Sequence, residues 1–227
     1  MNDVLTGLLQ ESVSGIALGC IYALIAFGFT LIYRATEVVN FAQGELMMVG
    51  AYVNFFFVTQ FSGVLGGVNF WVYLFAFAGS IIFAILFGIL LDYIINRPLK
   101  DEPVFSVIMA TISLAIILRS LTAIIAGPIS LVPASPFGDN TFNIGSVVIS
   151  ILDISIIIWT IVLMAIFYFF FNKTRWGIAM KATSTDPEAA QLMGIPIKQV
   201  YRFVWIFAAL VGVIGGVLLA PRMALLD

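Results

Sequence analysis

Asn172 to Arg202 reads N-K-T-R-W-G-I-A-M-K-A-T-S-T-D-P-E-A-A-Q-L-M-G-I-P-I-K-Q-V-Y-R. It is the one long polar stretch of a chain that is otherwise almost wholly apolar, so the apolar segments have to be arranged about it. A short helix is written inside it with both ends marked. Asp186 is placed to accept from free first-turn N–H groups, as an N-cap does. Pro187 suits the first helical position, where no N–H is needed, and Glu188 sets negative charge against the positive end of the helix dipole. Ala189, Ala190, Gln191, Leu192 and Met193 are good helix formers. Gly194 is free to take the left-handed conformation that ends a helix, and Pro196 blocks its resumption. A helix of two turns is too short to be stable alone in water. It must dock, on a protein partner or, as a plain connector, on the membrane surface.

Of 227 residues, 62% are hydrophobic and only 10% charged, with a mean hydropathy of +1.14. Soluble domains carry roughly 25% charged residues. With repeated apolar runs of about 20 residues, the expected fold is an all-α, polytopic transmembrane helix bundle. The length suits a single domain over residues 1–227. The net charge of −2 and the lack of a basic run argue against nucleic acid as a partner. The chain has no histidine and one cysteine, Cys20, in the first apolar run, where it reads as a small packing residue. Without histidine, the common zinc sites and Ser-His or Cys-His catalysis are excluded; no metal site and no enzymatic activity are expected. No GxxxxGK[ST] phosphate loop is present, so the chain is not expected to bind ATP by that route. Met1–Glu11 holds no Lys or Arg, and the first apolar run is read as a retained helix, not a cleavable signal.

Hydropathy places six spans: Ser12–Tyr33, Phe41–Phe61, Phe70–Ile95, Val104–Ala126, Ser146–Phe171 and Phe203–Ala220. Arg34 lies between the first two. Arg97 and Lys100 lie between the third and fourth, and Lys173, Arg175, Lys181, Lys198 and Arg202 between the fifth and sixth. Of the ten basic residues, this leaves only Arg119, inside span four, and Arg222, after span six. The charge bias makes these loops cytoplasmic, the N-terminus external, and the helix at Glu188 cytoplasmic.

Asn40 and Gln43 have capping-box spacing, which predicts that Asn40 starts span two. Glu45 then falls about one turn into an apolar helix. An acid at membrane depth reads as functional; the alternative is a structural carboxylate near the interface, paired with Arg34 or held by backbone N–H groups. Arg119, deeper in span four, either snorkels outward or faces a polar cavity with Thr111 and Ser113. Thr111 and Arg119, eight residues apart, share a helix face. For Thr111 and Ser113 the plain reading is a hydroxyl bonded back to a carbonyl four residues earlier. Gly15, Gly19 and Ala23 in span one, and Gly212, Gly216 and Ala220 in span six, have the spacing of close helix packing. Gly127–Gly145, rich in Pro, Gly, Ser and Asn, reads as an irregular external connection.

Taken together, these motifs resemble the branched-chain amino acid permease family of ABC importers, and the shorter of its two usual permease subunits. The first span matches through Gly15-I-A-L-Gly19-C-I-Tyr22-Ala23. Asn40-Phe41-Ala42-Gln43-Gly44-Glu45 resembles the family's N-F-A-H-G-E stretch, with Gln43 where His is common. Ala110-Thr111-Ile112-Ser113 resembles its A-T-x-G/S stretch. Thr174-Arg175-x-Gly177 through Glu188-Ala189-Ala190 to Gly194-Ile195 resembles its coupling loop. The resemblance implies an importer of branched-chain or related amino acids in a bacterial cytoplasmic (inner) membrane. Its implied partners are a second permease, two ATPase subunits that use the ATP, and an extracytoplasmic substrate-binding protein, with the lipid bilayer around it. Asp186, Pro187, Glu188, Ala189, Ala190 and Gly194 would couple to the ATPase. Asn40, Gln43, Glu45, Thr111 and Arg119 are the candidate translocation pathway. Family members usually continue beyond the equivalent of Gly215-Gly216-Val217, so the domain is expected to be incomplete at its C-terminus. The rival reading is an ion- or proton-coupled secondary carrier that uses Glu45 and Arg119 as a charge relay; the broken-helix inverted repeats that would support it are not evident.

Overall fold

The computed structural model describes residues 2–67, 69–99, 102–127, 141–144 and 147–223. Helix α1 spans Asn2–Thr36, α2 Gln43–Leu65 and α3 Phe70–Leu91. A wide π-helical turn, Asp92–Asn96, carries α3 into the one-turn α4, Arg97–Leu99. Then follow α5 (Val104–Ala126), strands β1 (Thr141–Ile144) and β2 (Val147–Ser150), α6 (Ile151–Lys173), α7 (Arg175–Thr185), α8 (Pro187–Leu192) and α9 (Ile197–Met223). Among the described residues, six helices are long and apolar enough to cross a membrane. They are the six expected, and the chain is a multi-pass membrane protein.

Only Val104–Ala126 keeps both edges of the sequence reading; the first span, for one, runs Asn2–Thr36 against the expected Ser12–Tyr33. Span five begins at Ile151 instead of Ser146, because Val147–Ser150 pairs antiparallel with Thr141–Ile144, Thr141 opposite Ser150. The β-branched run Val147-Val148-Ile149 favours a strand, and the Ser150 hydroxyl then caps α6 by accepting from the Leu152 N–H at 3.2 Å. The connection before α6 therefore contains a strand pair; its residues 128–140, 145 and 146, like Lys100, lie outside the described residues. Span six begins earlier than expected, at Ile197.

The bundle is built around α9, which packs against α1, α2 and α3. Val200, Val204, Trp205, Ala208, Ala209, Val211 and Val213 of α9 are all buried. Lipid offers no hydrophobic drive for helix association, so close backbone approach matters. A Cβ on Gly216 would strike the Met47 carbonyl oxygen of α2. The small residues of span six thus pack as expected. Those of span one do not: Gly15 and Gly19 have open space where a Cβ would stand.

Aromatic contacts tie α1, α6 and α9 at mid-height, Phe27 to Phe167 at 5.0 Å and Phe167 to Phe207 at 5.7 Å between ring centroids. About 21 Å away, thirteen to fifteen residues along the helices, Ser14, Asp153 and Arg222 meet at one end of the bundle. The other end carries Arg34, Arg97, Lys173, Arg175, Lys181, Lys198 and Arg202 and is called the basic end below.

Candidate functional site

At the basic end α6 turns sharply into α7. Thr174 makes the turn: its hydroxyl donates to the Phe170 carbonyl at 2.7 Å and accepts from the Gly177 N–H at 3.0 Å. Gly177 is needed there, since a Cβ would strike the Phe170 carbonyl oxygen. Trp176 packs on Phe203 at 4.5 Å and fixes α7 to the start of α9.

Helix α8 has the ends read from the sequence. Asp186 Oδ1 accepts from the Ala189 N–H at 2.9 Å, with Pro187 in the first turn. Gly194 has φ +86°. Its N–H donates to Gln191 O, and the Ile195 N–H donates to Ala190 O, both at 3.0 Å. That bond pair is the Schellman closure, which satisfies carbonyls a helix end otherwise leaves bare. The side chains divide in a way the residue types did not show. Ala190 is buried against its own chain, whereas Glu188 and Ala189 are exposed. Leu192 and Met193 stand 89% and 84% exposed, an apolar tip on an otherwise polar segment.

The second region lies inside the bundle. Glu37, at φ 56°, ends α1 in a conformation uncommon for a residue with a side chain. The chain then turns back inward. Gln43 Nε2 donates to the Ala208 carbonyl of α9 at 3.1 Å, and a Cβ on Gly28 of α1 would collide with the same amide. Gly28 lies eight residues before the end of α1, so Gln43 sits about 12 Å up from the basic end. Helix α2 therefore starts at depth.

That position corrects two expectations. Asn40 is not the N-cap of span two; Ala42 holds that position without a side-chain cap bond. Instead Asn40 Oδ1 accepts from the Ala42 N–H at 3.0 Å, closing a turn just before the helix. Gln43 does not reach back to it, because its amide is engaged across the bundle with α9. Glu45, likewise, is not near the basic interface and does not pair with Arg34. Its partner is Arg119 of α5, whose Nη2 donates to Glu45 Oε1. The Glu45 side chain is 12% exposed and that of Arg119 74%.

Asn40 and Thr111 line a cavity of about 240 Å³ that is also bordered by Thr36, Glu102, Tyr201 and Trp205. Asn40 Nδ2 and Trp205 Nε1 are buried without a hydrogen-bond partner, two donors at a cavity wall. Ser113 donates to Met109 O at 2.8 Å, the back-bond expected of it, whereas Thr111 donates to Ile108 O, three residues back, at 2.9 Å. Thr111 is buried and Arg119 exposed, so the pair does not share one cavity. The structure groups Asn40 with Thr111, and Glu45 with Arg119.

Two buried acids escaped the sequence reading. Asp92 has no exposed surface. It accepts from Asn96 Nδ2 at 2.8 Å and faces Arg97 Nε at 3.2 Å and Arg202 Nε at 3.5 Å, joining the end of α3 to the start of α9. Asp153 pairs with Arg222 and accepts from Ser14 Oγ at 2.7 Å, while Arg222 Nη2 donates to Ser14 O at 2.9 Å. Both lie within the apolar runs read as spans, so the rule that singled out Glu45 applied to them equally.

A bundle of six membrane-crossing helices with a capped, apolar-tipped helix at its basic end defines a multi-pass membrane protein. The family model for the permease component of branched-chain amino acid transport systems matches residues 12–226, and the chain belongs to that family. It is 28% identical over 225 residues to the high-affinity branched-chain amino acid transport system permease protein LivH of Salmonella typhimurium, covering 96% of this chain and 72% of that protein. It is 30% identical over 228 residues to BraD of Pseudomonas aeruginosa, which carries the same description, covering 96% and 73%. A shorter likeness, 36% over 67 residues, joins it to the L-arabinose transport system permease protein AraH of Escherichia coli, over 29% of this chain and 20% of that one. No solved structure matches.

Proposed function

We propose that this chain is the membrane permease subunit of an ABC importer for branched-chain or related amino acids, seated in a bacterial cytoplasmic membrane with its N-terminus outside. Family membership supports the transport role and favours it over the secondary carrier, whose Glu45–Arg119 relay would have to work without ATPase subunits. The basic end is then cytoplasmic by the charge bias of its loops. In this reading the chain catalyses no reaction and binds no cofactor; two partner ATPase subunits consume ATP, an external binding protein delivers substrate, and a second permease completes the pathway.

The observation that carries the proposal is α8. It is held at both ends, sits at the basic end, and turns Leu192 and Met193 away from its own chain. Such a tip fits an apolar groove on an ATPase subunit, and a helix of fixed orientation transmits that subunit's movement. Asn40, Gln43, Glu45, Thr111 and Arg119 serve as the pathway side of the bundle. Arg119 supports this: an arginine largely exposed far along a membrane helix is costly against acyl chains, so water or a second permease covers the α2–α5 face. Reconstituting the chain with its ATPase and binding-protein partners in vesicles and following leucine uptake tests the proposal. Uptake that requires ATP and survives a proton uncoupler is expected; uptake abolished by the uncoupler and indifferent to ATP would replace it with the carrier reading.

A further inference from the structure

A second groove, about 280 Å³, opens at the basic end between α1, α6 and α7. Its inner wall is apolar, from Phe27, Leu31, Phe167 and Phe171, and its mouth carries Arg34 and Lys181. No Asp or Glu lines it. The groove follows from the fold: the tight Thr174–Gly177 turn lays α7 across the ends of α1 and α6 and places Lys181 over the opening. Lys181 Nζ is steadied by Asn172 Oδ1 at 2.7 Å. Among the described residues, Arg34 makes no ion pair. Arg34 is in the last turn of α1, about 10 Å along the helix from Phe27, so the groove runs from the level of lipid headgroups into the apolar layer.

We propose that this groove seats an anionic phospholipid. One acyl chain lies against Phe27, Leu31, Phe167 and Phe171, and the phosphate sits at Arg34 and Lys181. Basic pockets between membrane helices near the headgroup level hold such lipids, and two cations with no carboxylate beside them select against a zwitterionic headgroup. The site is separate from the cavity at Asn40 and Thr111 and from the α8 tip. Through Lys181 and the α7 roof, the lipid would brace the segment that leads into α8.

The test uses the full chain in nanodiscs of mixed phosphatidylglycerol and phosphatidylcholine, with retained lipid counted by native mass spectrometry. Phosphatidylglycerol should be retained over phosphatidylcholine, and Arg34→Gln with Lys181→Gln should lower that preference about tenfold. The control Arg175→Gln with Lys198→Gln removes the same charge at the same end but outside the groove, and should keep the preference. Equal thermal midpoints for both double variants in phosphatidylcholine alone would show that folding is intact. Three results would each overturn the proposal. They are no preference in the parent, an equal loss in the control pair, and displacement of the lipid by glycerol phosphate at equal concentration, which would mark a plain phosphate site.

Discussion

Arg119 on α5 and Glu45 on α2, seventy-four residues apart in sequence, form one ion pair within the bundle. The pair is lopsided: the carboxylate is nearly enclosed and the guanidinium mostly open. Removing either partner should therefore have different effects. Arg119→Gln strands a buried carboxylate and should lower stability by about 1–2 kcal/mol, less than for a fully buried pair because one partner is exposed. Glu45→Gln leaves a cation with room to find water, and should insert and fold like the parent. Both should lower substrate uptake, by about tenfold if the pair sets the conformational balance. Thermal midpoints and uptake at matched expression separate these effects, and unchanged uptake in both variants would leave the pair as a structural tie.

A second ion pair offers a stability test away from the proposed pathway. Asp153 and Arg222 are 8% and 11% exposed and share Ser14. Asp153→Ala should destabilise by about 3–5 kcal/mol, because it leaves Arg222 buried and unpaired. Asp153→Ala with Arg222→Leu should recover part of that loss, since no buried charge is then left unpaired. A double variant no more stable than the single would mean that the hydrogen bonds to Ser14, more than the charges, hold α1, α6 and α9 together.

Glycines that look alike in the sequence should respond differently to one added methyl group. Gly216→Ala drives a Cβ into the Met47 backbone and should cost about 1–3 kcal/mol through overpacking. Gly15→Ala meets open space and should stay within about 0.5 kcal/mol of the parent. Thermal unfolding in detergent checks both; equal midpoints would show that α2 and α9 are less closely packed than described.

For α8 the informative substitutions are at its exposed tip. Leu192→Glu with Met193→Glu adds charge where no contact within the chain is lost, so insertion and thermal midpoint should hold while ATPase capture falls about tenfold or more. Gly194→Val should weaken capture by another route, since a β-branched residue tolerates φ +86° poorly. Ala190 is a poor choice, because it is buried in its own chain and a bulky residue there would disturb folding first. Parent-like ATPase pull-down and uptake in both variants would reduce α8 to a connector.

The contrast between α8 and α2 shows what the residues alone disclosed. Helix α8 was legible to its ends, because Asp186, Pro187 and Gly194 act on their own neighbours and local chemistry needs no third dimension. The six spans were legible for a similar reason: lipid demands length and apolarity from each segment separately. The start of α2 was not. Asn40 and Gln43 have a capping spacing that would hold at a water interface, but at depth the Gln43 amide found the Ala208 carbonyl, through a gap left by Gly28. No local pattern records that encounter. The partner of Glu45 was hidden for the same reason, since pairing with Arg119 depends on the depth of α2. Asp92 and Asp153 were visible as acids in apolar runs and were passed over.

The inward turn after Glu37 also fixes a length. Seven Cα steps from Thr36 to Gln43 reach at most about 25 Å. They must climb about 12 Å and cross the 8–10 Å that separates packed helix axes, with Asn40 already using part of the run for its turn. Because climb and crossing are at right angles, the span is about 15 Å, which leaves about 10 Å of the reach for the turns at Glu37 and Asn40. The connection thus acts as a tether that caps how far α2 can rise against α1. Removing about three residues would take up that surplus and draw Gln43 down from Ala208.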